Sequence, residues 1–232
     1  MQHADCGNLY SYLERNFNSL TWGTKVKILD DLAEHLSVIH SNELVHSNLH
    51  GGNIVFGGSE YSYFANVNKP FLCDIGLAKS SSSSKVNPST IQGVLPYIAP
   101  EVFHTFEFTQ KSDIYSFGIL MYQIASGEPP FRDRTFDRDL VGDIVGGLRP
   151  TMPDEAPESY KKLAKRCCDS NPNKRPDAEM IELYHEDVAW LNTIYRNENI
   201  EPMSPSEKES KYSSKLLPID EDNSAAGIKA VN

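Results

Sequence analysis

Apolar residues recur along this chain mostly at helical spacing, and polar clusters mark where that spacing breaks. Leu9, Tyr12, Leu13 and Phe17 fall on one face after Gly7-Asn8 and predict a short helix. Thr21 is placed to cap a long helix running to about His40, with Ile28, Leu29, Leu32, Leu36 and Ile39 on its apolar side. Two brief apolar runs, Ile54-Val55-Phe56 and Phe71-Leu72-Cys73, predict strands joined by a polar, tyrosine-containing connector from Gly57 to Pro70. The stretch Ile114 to Ile124 is nearly all apolar, which suits a helix buried on most sides. Ser126-Gly127 stops that helix and Pro129-Pro130 prevents its resumption. Further helices are expected near Asp139–Gly146, Glu158–Cys168 and Asp177–Tyr195.

Two stretches lack any such pattern. Ser80 to Pro88 is a serine run expected to form a mobile loop. Residues 197–232 are rich in Ser, Glu, Lys and Pro and are expected to form a disordered acidic and polar tail. The remainder, 1–196, is expected to be one domain, mainly α with a small β element of two to four strands.

Composition narrows the function. The 232 residues are 39% hydrophobic and carry a formal net charge of -10, which argues against nucleic acid as a partner. No apolar run approaches the roughly 20 residues of a membrane span, and the polar start Met1-Gln2-His3-Ala4-Asp5 is unsuited to a signal peptide. The cysteines Cys6, Cys73, Cys167 and Cys168 form no Cys-x-x-Cys pair, so neither zinc nor a disulfide framework is indicated. A reduced, cytoplasmic setting is the expectation.

Five segments carry the chemistry, in this order: His46-Ser47-Asn48-Leu49 with Asn53, Asp74-Ile75-Gly76, Ala99-Pro100-Glu101, Ser112-Asp113-Ile114-Tyr115-Ser116-Phe117-Gly118, and Asn171-Pro172 with Arg175-Pro176. Together they resemble the protein kinase family, in its tyrosine-kinase-like form, over roughly Met1 to Trp190. The family catalytic loop reads His-Arg-Asp-Leu, three variable residues, then Asn. Here Ser47 stands for the Arg and Asn48 for the Asp that accepts the substrate proton. The resemblance implies that Asp74 and Asn53 hold Mg²⁺ for ATP, and that His50 occupies the place of a phosphate-contacting Lys. His46 is then a packed histidine bracing the loop, and Gly76 belongs to the metal motif. Asp113 would bond the loop's backbone amides, while Glu101 and Arg175 would form a buried bidentate pair. Read without the family, Asp74 is a turn aspartate, Asp113 a first-turn helix acid and the serines a flexible tract. An unrelated helical domain would leave Glu101 and Arg175 apart.

No Gly-rich phosphate loop, strand Lys or partnering helix Glu can be placed, and Met1 to Leu9 looks like the hinge that follows them in the family. The fold expected is therefore the C-terminal kinase lobe without the N-terminal lobe, read from an internal methionine; a genuine stand-alone lobe is the alternative. Removing the upper lobe is expected to expose apolar surface at Ile54, Phe56 and Phe71. By resemblance the function is ATP- and Mg²⁺-dependent phosphoryl transfer to protein Ser, Thr or Tyr, impaired because Asn48 cannot take a proton. The alternative is a pseudokinase scaffold whose helical lobe, docking turn around Tyr97 and tail bind a protein partner such as an active kinase.

Overall fold

A computed structural model describes residues 7–57, 68–74, 79–80 and 93–181. Expectations about Met1 to Cys6, most of the connector, Ile75 and Gly76, most of the serine run, the greater part of the last helix and the tail lie outside them.

Helix α1 (Leu9–Asn16) starts where the Asn8 side chain accepts the Ser11 N–H, and it buries Leu9, Tyr12 and Leu13. Helix α2 (Trp22–Ser41) starts in the same way, with Thr21 accepting from Thr24. Its buried stripe includes Ile28, Leu29, Leu32, Leu36 and Ile39. Strands β1 (Leu44–Val45), β2 (Ile54–Phe56), β3 (Pro70–Leu72) and β4 (Lys79–Ser80) follow. They pair as two separate antiparallel ribbons, β1 with β4 and β2 with β3, the latter in register Ile54↔Leu72 and Phe56↔Pro70.

The short helix α3 (Val102–Thr105) leads into α4 (Gln110–Ser126), whose residues Ser112 to Ala125 are all buried. A reciprocal box fixes its start: Thr109 Oγ1 accepts the Ser112 N–H and Ser112 Oγ accepts the Thr109 N–H. Gly127 ends it at φ 78°, where a Cβ would lie 2.6 Å from the Phe17 ring. Lys25 closes the same end, donating to the Ala125 carbonyl (3.2 Å) with its ammonium 4.0 Å from the Phe17 ring centre. Helices α5 (Arg138–Val145) and α6 (Glu158–Cys167) complete the lobe. α4 and α6 approach closely at Gly118, where a Cβ would meet Cys168 Sγ at 2.5 Å, and Tyr160 donates across to the Met121 carbonyl (2.7 Å).

Mainly helical, with two small ribbons beside a buried central helix, the lobe matches the architecture expected. One expectation fails. Ile54 and Phe56 are both fully buried, because α1 lies over β2: Tyr12 stacks on Phe56 at 3.8 Å between ring centres and Asn8 bridges to Val55. Phe71 is half-buried beneath His35 and Lys69. Among the described residues the exposed large apolar side chains are Val38, Phe136, Leu148 and Met180. Among the described residues no helix is long and apolar enough to cross a membrane.

Candidate active site

Asp113 organises the loop after β1. It sits in the first turn of α4, 1% exposed, and its carboxylate accepts the backbone N–H of His46 (2.8 Å) and of Ser47 (2.9 Å). The His40 Nε2 lies 3.0 Å from the same carboxylate. Three groups from two distant segments thus converge on one acid, and Ser47 is held at φ 62°. His46 is fully buried. Its Nε2 lies 3.2 Å from the Cys73 carbonyl, which can only accept, so Nε2 carries the proton and Nδ1 receives the Asn48 N–H (3.4 Å). His46 therefore ties the loop to the strand that runs to Asp74.

That tie brings Asn48, Asn53 and Asp74 together. Asn48 Nδ2 donates to Asp74 Oδ2 at 3.1 Å, and Asn53 Nδ2 donates to the same oxygen at 3.4 Å. Asn53 Nδ2 also donates to the Asn48 carbonyl (2.9 Å), and the Asn53 carbonyl receives the Cys73 N–H (2.8 Å). Asp74 itself stands in the left-handed region at φ 65° with its side chain exposed to the cleft. Burial, and then the Asp74 charge, push the neighbouring Cys73 thiol above its ordinary pKa, so it stays protonated.

The donor set suits a hard cation in part. Asp74 offers a carboxylate, and both Asn53 amide hydrogens are engaged, leaving its Oδ1 as an oxygen ligand. Among the described residues no cluster of three or more His, Cys, Asp or Glu could hold a metal alone. Mg²⁺ is ordinarily held by one or two carboxylates together with phosphate oxygens, and two protein oxygens fit that pattern.

His50 turns back on its own loop. Its Nδ1 accepts the Gly52 N–H (3.0 Å) and so caps the turn Gly51–Asn53. Burial, and then His46, lower its pKa against the opposing pull of Asp74, so the ring is neutral at pH 7. A neutral, capping imidazole is a poor stand-in for a lysine aimed at phosphate.

Below the cleft, Arg175 is 2% exposed and makes a two-pronged contact with Glu101, at 2.6 and 2.7 Å. Its remaining donors reach the carbonyls of Asp169 and Lys111, both at 2.8 Å. The turn before Glu101 is anchored through Tyr97. Tyr97 points inward, 3% exposed, donating to Gln123 Oε1 (2.6 Å) while its carbonyl accepts from Ser116 (2.7 Å). Its ring is therefore buried; of that turn Gly93 is exposed, while Val94 and Leu95 are half-buried against the core. Sequence reasoning did not single out Gln123 and gave Ser116, though part of a motif, no role of its own. Two polar residues inside the otherwise apolar stretch Ile114 to Ile124 were the available signal, since buried polar groups demand partners.

A family profile described as "Protein tyrosine and serine/threonine kinase" matches residues 1–184. Among curated proteins, the chain is 29% identical over 223 residues to the probable serine/threonine-protein kinase roco7 of Dictyostelium discoideum, covering 93% of this chain and 8% of that protein. It is 31% identical over 208 residues to the dual specificity protein kinase zakA of the same organism, covering 85% of this chain and 26% of zakA. It is 27% identical over 181 residues to the serine/threonine-protein kinase STY46 of Arabidopsis thaliana, covering 78% of this chain and 30% of STY46. The chain thus spans less than a third of the length of these relatives. With a helical lobe of the expected build and a family match over most of its length, this chain belongs to the protein tyrosine and serine/threonine kinase family.

Proposed function

We propose that the lobe is a protein kinase domain in which nucleotide is held weakly and phosphoryl transfer is severely impaired. The observation that carries this reading is the Asn48 amide donating to Asp74 at 3.1 Å. In this reading residues 1–196 make up the kinase domain and 197–232 a polar tail outside it, a division that the family match over 1–184 supports. The setting is cytoplasmic and the substrates are protein hydroxyls, as in the family.

Mg²⁺-ATP, when bound, supplies the phosphoryl group and the cation that offsets its charge. Asp74 and Asn53 would hold that cation through oxygen. Asn48 has an oxygen that can orient a substrate hydroxyl by accepting its hydrogen bond, yet an amide does not take up the proton. Loss of a positioned base costs ~10²–10⁴-fold in rate. Ser47 in the family's Arg position removes the cation that would meet a phosphate on the activation segment. Glu101, Arg175, Asp113 and His46 keep structural roles: they fix the floor and walls on which the cleft residues stand.

A second reading is a non-catalytic scaffold that binds and regulates another signalling protein. The departures at Ser47 and Asn48, both on the one loop, favour it. Equilibrium binding of Mg²⁺-ATP to the wild-type chain and to Asp74→Ala separates the two. Weak saturable binding that Asp74→Ala abolishes supports the impaired kinase; absence of nucleotide binding to the wild type overturns it in favour of the scaffold.

A further inference from the structure

We propose that Asn48 competes with divalent cations for Asp74, so that the residue in the position of the catalytic base also sets the lobe's metal affinity. This rests on reading Asp74 as the cation ligand, and goes beyond it by giving position 48 a second, antagonistic role.

The geometry carries the inference. Asp74 Oδ2 accepts two amide N–H groups, from Asn48 at 3.1 Å and from Asn53 at 3.4 Å. An amide facing a carboxylate at this distance must present its N–H, since two oxygens would repel. The negative charge that would attract a cation is thus partly neutralised by the protein's own donors. The two donors differ in what else they do. Asn53 is committed through its second amide hydrogen to the Asn48 carbonyl at 2.9 Å, and this bond can persist while its oxygen turns to a metal. For the Asn48 side chain, the Asp74 carboxylate is its one hydrogen-bond partner among the described residues. A cation on Oδ2 displaces that donor and leaves the Asn48 N–H without its partner.

An aspartate at position 48 reverses the sign. Two carboxylates at the separation now spanned by the Asn48–Asp74 bond repel each other until a cation lies nearby, so the same pair that excludes metal as amide and acid would recruit it as two acids. An apolar side chain of the same size gives the intermediate case: the competitor is gone and no charge is added.

The test uses the full chain without nucleotide, with Mn²⁺ as probe and free Mn²⁺ counted by its paramagnetic resonance signal. Asn48→Ala and Asn48→Leu are each expected to lower the Mn²⁺ dissociation constant about threefold to tenfold, the scale of one solvent-exposed charge-assisted bond. Asn48→Asp is expected to lower it by roughly tenfold or more. Thermal unfolding with and without Mn²⁺ gives an independent readout and shows that each variant is folded. If all four proteins bind Mn²⁺ equally, competition by Asn48 is overturned while Asp74 as ligand stands. If none binds Mn²⁺ and Asn48→Asp also fails, the inference falls together with the metal role of Asp74. A failure of ATP binding alongside the expected Mn²⁺ series would sink only the impaired-kinase reading.

Discussion

Arg175 and Asp74 belong to the same lobe and are treated very differently: one is buried, the other exposed. Arg175 is buried, and its guanidinium makes four hydrogen bonds, two to Glu101 and one each to the carbonyls of Asp169 and Lys111. Asp74 is exposed in a cleft, and the loop that supplies its partner Asn48 departs from the kinase pattern at positions 47 and 48. A buried charge stripped of its partners has no water to turn to, so the brace around Arg175 cannot drift without unfolding the lobe. The cleft is bathed in solvent, and an amide can replace a carboxylate there at little structural cost. The lesson is that fold and chemistry depend on separate residue sets, and that the chemical set can change while the brace stands.

The contrast can be broken most forcefully at the brace. Arg175→Ala should destabilise the lobe by about 3–5 kcal/mol in urea unfolding, since Glu101 and two carbonyls lose their partner. A loss below about 1 kcal/mol would mean that the pair is ornamental. Asp113→Ala comes next. It strands two backbone N–H groups and His40, and should cost about 2–4 kcal/mol while loosening the loop that carries Asn48. Gly118→Ala probes the contact of α4 with α6, where the new methyl would meet Cys168 Sγ at 2.5 Å. A loss of about 1–3 kcal/mol is expected, read as a lowered unfolding midpoint.

Tyr115→Phe sharpens the comparison from the other side. The Tyr115 ring packs between Arg149 and Arg175, yet its hydroxyl is buried with no hydrogen-bond partner among the described residues. Removing that oxygen should leave stability unchanged or raise it by up to about 1 kcal/mol, measurable by the same unfolding curves. A clear loss would show that the phenol has a partner in solution.

How much of this was legible in the sequence varies with the range of the interactions. Helices α2 and α4 could be read because Thr21 opens one with a periodic apolar stripe behind it and Gly127 closes the other after a nearly continuous apolar run; the start of α4 at Gln110, capped by Thr109, was not read. Helix α3 was not, since four residues carry too little periodicity. The burial of Ile54 and Phe56 depends on Tyr12, over forty positions earlier, and nothing local announces that α1 covers β2. The inward turn of Tyr97 depends likewise on Gln123 in another element. The meeting of Asn48, Asn53 and Asp74 was foreseeable only through resemblance to a family motif; spacing alone would not join position 48 to position 74. The curl of His50 onto the Gly52 amide was invisible, being a choice of rotamer.

The central claim is that an intact kinase floor carries a cleft whose proton acceptor has been replaced. Phosphoryl transfer from Mg²⁺-ATP to a generic protein substrate, compared between wild type and Asn48→Asp in the same full-length protein, tests it most directly. The account predicts a wild-type rate at or near background and a gain of ~10²-fold or more on restoring the carboxylate. A wild-type rate equal to that of Asn48→Asp, well above background, would contradict it.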